Sequence, residues 1–193
     1  MRKAGFTLIE MLIAISLVAL TSFAIYQNFD SGVRIMRVMS RPINEEDIDL
    51  FFEKFSGDLQ NSFLYKGIAF VGKKDKVSFL TTIPTLESLG GGEGIGRVTY
   101  SYDSSHGAVA RLRENMNQIY KEKPGKPLSM LTSVESLSFK YYQYNPNDQK
   151  HEWVEEREET AEKIPLAVQL QLEIHDQGKI RTFSRTVSIP IGE

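Results

Sequence analysis

Phe6-Thr7-Leu8-Ile9-Glu10-Met11-Leu12-Ile13-Ala14-Ile15-Ser16-Leu17-Val18-Ala19-Leu20-Thr21-Ser22-Phe23-Ala24-Ile25 is an apolar run broken by one charge, Glu10. At 1.5 Å per residue it makes about 30 Å of helix, the hydrocarbon thickness of a bilayer. Arg2 and Lys3 stand ahead of it, so the positive-inside tendency keeps the N-terminus cytoplasmic and sends the rest of the chain outward. An ordinary secretory signal has a shorter apolar region followed by a small-residue cleavage site. Here Tyr26-Gln27-Asn28-Phe29 follows instead, and helix-compatible sequence continues to about Ser40. A plain anchor explains the length but not Glu10, because a charge at mid-helix costs about 2.5–3.5 kcal/mol on insertion scales. Such a carboxylate calls for a partner.

The remaining composition bounds the function classes. The chain has 193 residues, enough for one globular domain and an appendage. Its 23 basic and 25 acidic residues give a net charge of −2 with no block of one sign. Nucleic-acid binding, which needs a concentrated basic face, gains no support. Cysteine is absent, which excludes disulfides, thiolate nucleophiles and Cys-ligated metal centres.

Past the apolar run, Val33, Ile35, Met36, Val38 and Met39 continue an amphipathic pattern that Pro42 interrupts. Gly32 lies mid-way and either bends this stem or is simply tolerated. A second helix is expected from Asn44, which can cap, through Glu45, Glu46 and Asp47, with Ile48, Phe51, Phe52, Phe55, Leu59 and Phe63 at helical spacing. That stripe reads as a core face awaiting a β-sheet. From Gly67 the pattern becomes strand-like: 67–71, 76–80, 97–102, 108–112, 134–144, 166–174 and 180–189, with a turn at 104–107 and a hairpin loop at 175–179. Helices first and hairpins after them predict an α+β fold with antiparallel sheet.

Gly5-Phe6-Thr7-Leu8-Ile9-Glu10, after Arg2 and Lys3 and before the apolar run, resembles the type III signal of type IV prepilins and pseudopilins. The resemblance implies that a membrane-embedded aspartyl prepilin peptidase cuts between Gly5 and Phe6 and N-methylates Phe6. Glu10 then becomes the fifth mature residue, the family's glutamate, whose carboxylate meets the N-terminal amine of a neighbouring subunit. The physics agrees, since Phe6 and Glu10 stand i, i+4 and an ion pair strengthens as the dielectric falls. Expected divisions are a leader over 1–5, a transmembrane and filament-core helix over 6–25, the periplasmic half of the stem over 26–41, and a globular domain over 42–193. The stem is expected to pack on that domain as in pilin-like folds.

Further on, Gly57-Asp58-Leu59-Gln60, Val98-Thr99-Tyr100 with Gly107 to Arg111, and 134–144 followed by Trp153 and Ile164 to Val168 are similar to the J-type minor pseudopilin of type II secretion systems. The implied partners are sibling minor and major pseudopilins, the prepilin peptidase, the bacterial inner membrane and secreted substrate proteins. The implied place is a periplasmic pseudopilus, at its tip. A minor pilin of a type IV pilus or DNA-uptake filament shares every N-terminal feature and remains the alternative. A membrane-anchored periplasmic enzyme or binding protein is a third reading.

No constellation argues for catalysis. Gly90-Gly91-Gly92-Glu93-Gly94-Ile95-Gly96 lacks the Lys-Ser/Thr of a phosphate loop and reads as a hairpin connection. His106, His151 and His175 lack metal-site spacing, and no serine sits in a nucleophile elbow. No cofactor is expected. A structural calcium stays open without ligands: Asp47, Asp49, Asn145, Asn147, Asp148 and 155–162 are acidic or amide-rich but match no calcium loop. Glu152-Trp153-Val154-Glu155-Glu156 reads as a strand end and solvated loop, or as a partner-facing patch. Tyr141, Tyr142 and Tyr144 read as a sheet face and edge.

Overall fold

The computed structural model describes residues 8–39, 45–65, 67–84, 93–157, 163–176 and 179–192, with the backbone alone described at 24 and 27–39. Gly5, Phe6, Pro42, Asn44, 90–92 and 158–162 therefore lie outside the described residues. The chain divides into two compact units, Met1–Arg41 and Pro42–Glu193, and each is described by itself.

The first unit is α1 (Leu8–Met39), 32 residues, about 48 Å long at 1.5 Å per residue. Helix continues through Gly32. Two α1 hydroxyls bond back to the helix: Ser16 Oγ donates to Leu12 O at 2.8 Å and Thr21 Oγ1 to Leu17 O at 3.0 Å.

The second unit starts with α2 (Glu45–Gln60), whose first turn carries Glu45, Glu46 and Asp47, placed to favour the positive end of the helix dipole. Ile48, Phe51, Phe52, Phe55 and Leu59 are all buried, as their i, i+3, i+4 spacing predicts. Each such burial is worth about 1.5–3 kcal/mol relative to exposure. Phe63, expected on the same stripe, lies beyond the helix and bridges to Leu80 instead.

The rest is antiparallel. β1 (Val71–Gly72), β2 (Lys76–Pro84), β3 (Glu93–Asp103), β4 (Ala108–Asn115) and β5 (Leu128–Leu131) form a sheet in chain order, with α3 (Met116–Tyr120) between β4 and β5. β6 (Val134–Asn145), β7 (Lys150–Val154), β8 (Ala167–Asp176) and β9 (Lys179–Ser188) form a second, in the order β7-β6-β8-β9. Ser133, with φ 61°, turns the chain from one sheet into the other. Glu93 to Gly96, expected in a connection, extend β3, pairing with Pro84 to Thr81 of β2. The segment expected as a strand over 67–71 shrinks to β1, although Phe70 is buried. At the β8–β9 hairpin Asp176 pairs with Lys179, so the connection is tighter than the five residues expected.

One core joins these parts. Phe55 of α2 meets Tyr100 of β3 edge-on at 5.2 Å and Phe139 of β6 at 5.8 Å, so one helix closes both sheets. Backbone bonds stitch the sheets together, Phe139 N to Lys74 O and Arg157 N to Gly72 O, each 2.8 Å. Gly72 is required there: a Cβ on it would stand 2.6 Å from Tyr141 Cζ. Arg157 completes the joint, donating from Nε to Gln143 Oε1 and from Nη2 to Lys163 O, with its guanidinium over the Phe70 ring. Burial holds that guanidinium below its usual pKa range.

Candidate functional site

The N-terminal part of α1 is mostly apolar. Leu8, Ile9, Leu12, Ile13, Ile15, Leu17, Val18 and Leu20 are all exposed, Leu8 by 84%, and at 100° per residue they spread over most of the circumference. A helix of this kind needs apolar surroundings. The Ser16 and Thr21 hydroxyls already bond to the helix's own carbonyls, as an apolar setting demands. Among the described residues no helix is long and apolar enough to cross a membrane. Glu10 sits in the first turn of α1, where a carboxylate suits the helix dipole. Gly5 and Phe6 precede the described residues, so of the three expected site residues the structure places Glu10.

The histidines stay apart. His106 lies in the exposed turn after β3, His151 on β7 against Tyr142 and Tyr144, and His175 near the end of β8. Sequence reasoning missed that Asp103, Ser105 and His106 touch one another. Ser105 N and Oγ donate to Asp103 Oδ1, and His106 Nδ1 lies 2.7 Å from Asp103 Oδ2 and 2.9 Å from Ser105 Oγ. A serine-histidine relay needs the serine on one ring nitrogen and the carboxylate on the other. Here both approach Nδ1, so the cluster is a hydrogen-bonded turn. The Ser105 hydroxyl, then His106, hold the Asp103 carboxyl down at about 2.

The acidic stretches are also occupied locally. Asn145 Nδ2 donates to Glu152 Oε1 at 2.7 Å and reaches Asp148 Oδ2 at 3.3 Å, and Asn145 Oδ1 accepts from Asn147 N. Glu155 pairs with Lys74 at 3.1 Å. Among the described residues no three His, Asp or Glu side chains stand together as metal ligands. Trp153 is on β7, half-exposed, 5.1 Å from the Tyr142 ring. Tyr141 is fully buried and donates to Lys73 O, while Tyr142 and Tyr144 stand on the opposite, outer face.

A second feature missed from sequence is a charged node inside the core. Asp58 of α2 is 4% exposed, and its Oδ2 accepts from Tyr100 Oη at 2.6 Å and from Arg111 Nε at 2.7 Å. Lys54 approaches Oδ1 at 3.4 Å from the solvent side. Burial, then the Asp58 carboxylate, push Tyr100 far above its normal range, so it remains a neutral donor. The signal was present in the sequence. Asp58 lies between Phe55 and Leu59 on the apolar stripe, and Arg111 falls in phase with inward Val109 on β4. This node fixes α2 to the five-stranded sheet.

Two family models match. The model described as type II secretion system (T2SS), protein J, covers residues 49–186, nearly the whole second unit. The prokaryotic N-terminal methylation motif covers residues 1–26, taking in Gly5, Phe6 and Glu10.

Proposed function

The chain belongs to the type II secretion system protein J family and is a minor pseudopilin of that system, and on that premise we propose how its residues divide the work. Residues 1–5 are a leader that the prepilin peptidase removes between Gly5 and Phe6, methylating the new terminal amine. Residues 6–25 hold the subunit in the bacterial inner membrane with its N-terminus cytoplasmic, then form the core of the assembled pseudopilus. Residues 26–41 carry the stem into the periplasm, where the 42–193 domain meets sibling pseudopilins and secreted proteins. Glu10 sets register: its carboxylate pairs with the methylated amine of a neighbouring stem, each charge relieving the other in low dielectric. The chain then acts by assembly rather than catalysis, without a cofactor.

The observation that carries this reading is the exposed apolar side chains of α1 between Leu8 and Ile25, with Glu10 in the first turn of the helix. Lipid first, and neighbouring stems later, are environments that cover such a surface without polar groups. The test is the intact mass of the protein recovered from membranes, with and without active prepilin peptidase, beside the same measurement on Gly5→Ala. Loss of residues 1–5 plus a methyl group, dependent on the peptidase and blocked by the substitution, is expected. An unprocessed chain in the presence of active peptidase would overturn the proposal.

A further inference from the structure

A groove of about 820 Å³ opens on the five-stranded sheet beside α3. Its size falls within the usual range of ligand sites, about 300–1,000 Å³. Arg111 and Arg113 of β4 and Lys126 ahead of β5 line it, and its lining residues include no carboxylate. The strand explains that asymmetry. Residues two apart on a strand share a face, so Arg111 and Arg113 point together while Glu114 points to the other side. There Glu114 is taken by Arg97 Nε at 2.9 Å.

Asp58 of α2 holds Arg111 at the back of the groove. Arg111 is 4% exposed; its Nε donates to Asp58 Oδ2 and its Nη2 stands 2.7 Å from the same oxygen. This nearly buried guanidinium, ion-paired to Asp58, lines a groove with two more cations. The amides beside it are occupied. Asn115 and Gln118 bond reciprocally across the first turn of α3, Asn115 Oδ1 accepting from Gln118 N and Gln118 Oε1 from Asn115 N.

The rim is apolar. Ile95 is 42% and Leu128 57% exposed, and Met116 lies between the strands that carry them. A small inorganic anion would use the cations and leave this rim wet. A nucleic acid would ask for a longer basic track than three cations on a chain of net charge −2. Carboxylates interleaved with apolar side chains match both features, because complementary charge steers and orients a partner while the apolar rim supplies burial.

We propose that this groove is a docking site for an acidic, partly apolar peptide segment of a partner polypeptide, its carboxylates held by Arg111, Arg113 and Lys126. The site stands on the second unit alone and needs neither Gly5, Phe6 nor Glu10, so processing could fail its test while this proposal stands. The experiment uses the full chain in detergent micelles and two fluorescent hexapeptides, one of alternating Glu and Leu, the other with Gln for Glu, read by anisotropy. Arg113 and Lys126 are both exposed, so Arg113→Glu/Lys126→Glu leaves the core untouched. The Glu peptide is expected to bind, and the double variant to weaken it about tenfold or more. The Gln peptide should bind no better than the variant binds the Glu peptide. Lys140→Glu/Lys150→Glu, an equal charge change on exposed positions of the other sheet, should leave binding within about twofold. No binding of the Glu peptide, equal binding of the Gln peptide, or an equal loss in the control pair would each overturn the proposal.

Discussion

Replacing Asp58 with Asn removes one charge from the core at constant size and tests how α2 is held. In the native node Asp58 Oδ2 accepts from Tyr100 and Arg111 at 2.6 and 2.7 Å, and both Asp58 and Arg111 are 4% exposed. Lys54 adds little, being half in water at 3.4 Å. With the carboxylate gone, the Arg111 guanidinium is buried without a counter-charge, and breaking such a pair costs about 3–5 kcal/mol. Against a total domain stability of about 5–15 kcal/mol, that is a large fraction. Tyr100→Phe removes one hydrogen bond to a charged group and should cost less, about 1.5–3 kcal/mol.

The same reasoning makes a sharper statement about the triple variant Asp58→Leu/Tyr100→Phe/Arg111→Met. It removes every member of the node, so no charge or hydroxyl is left buried and unpaired. Apolar replacement of a whole buried ionic group is often neutral or stabilising. Urea unfolding of the 42–193 unit, which carries its own hydrophobic core, reads all these variants. The triple variant should lie nearer the native protein than Asp58→Asn does. An Asp58→Asn cost below about 1 kcal/mol, or a triple variant less stable than the single, would refute the account.

Two further outcomes follow from local geometry. The Asp103 carboxyl is depressed to about 2 in the folded turn, below its unfolded value, so its stabilisation is present above the unfolded value and lost as pH falls through about 2. Ser105→Ala should move it back toward the ordinary carboxylate range in a side-chain NMR titration, whereas an unchanged midpoint would show that Ser105 is not its main support. Gly96→Ala should destabilise the domain by about 1–3 kcal/mol, because a Cβ there would run into Ile83 and stand 2.5 Å from Glu114 O; a melting temperature equal to the native one would contradict this.

Much of the fold was legible because burial imposes period. The Phe51, Phe52, Phe55 stripe marked α2, and alternation marked β4, β6, β8 and β9 to within a few residues. Misses came where another force decides. Gly94 and Gly96 read as a connection, yet Gly96 sits in β3 because no side chain fits against Ile83. β5 is short and mostly exposed, and β7 is an exposed edge rich in charge, so neither shows a burial pattern. The division into two sheets turns at Ser133, a residue in left-handed backbone conformation that composition does not announce. The N-terminal methylation motif was legible in the sequence, whereas the groove was not, since Arg111, Arg113 and Lys126 meet only through the fold.

The two units resolve their apolar content in opposite ways, and that difference assigns their roles. In the second unit the inward-facing large side chains of α2, β2, β6 and β8, such as Phe55, Phe79, Phe139 and Leu170, are buried to a few per cent or less, so the unit carries its own core. In α1 the corresponding side chains are exposed, so α1 is incomplete until something apolar covers it. On the proposed function, the driving force for assembly would reside in α1 and selectivity would come from the polar and mixed surfaces of the second unit. Burial between stems is nearly indifferent to partner identity, because lipid tails and leucines are similar surroundings. Discrimination between one sibling and another needs charge and shape, which the apolar run of α1 offers at Glu10 and which, on the proposal above, the second unit offers at Arg111, Arg113 and Lys126. Substitutions in α1 should thus change how much filament forms, and substitutions in the groove should change what stands beside this subunit.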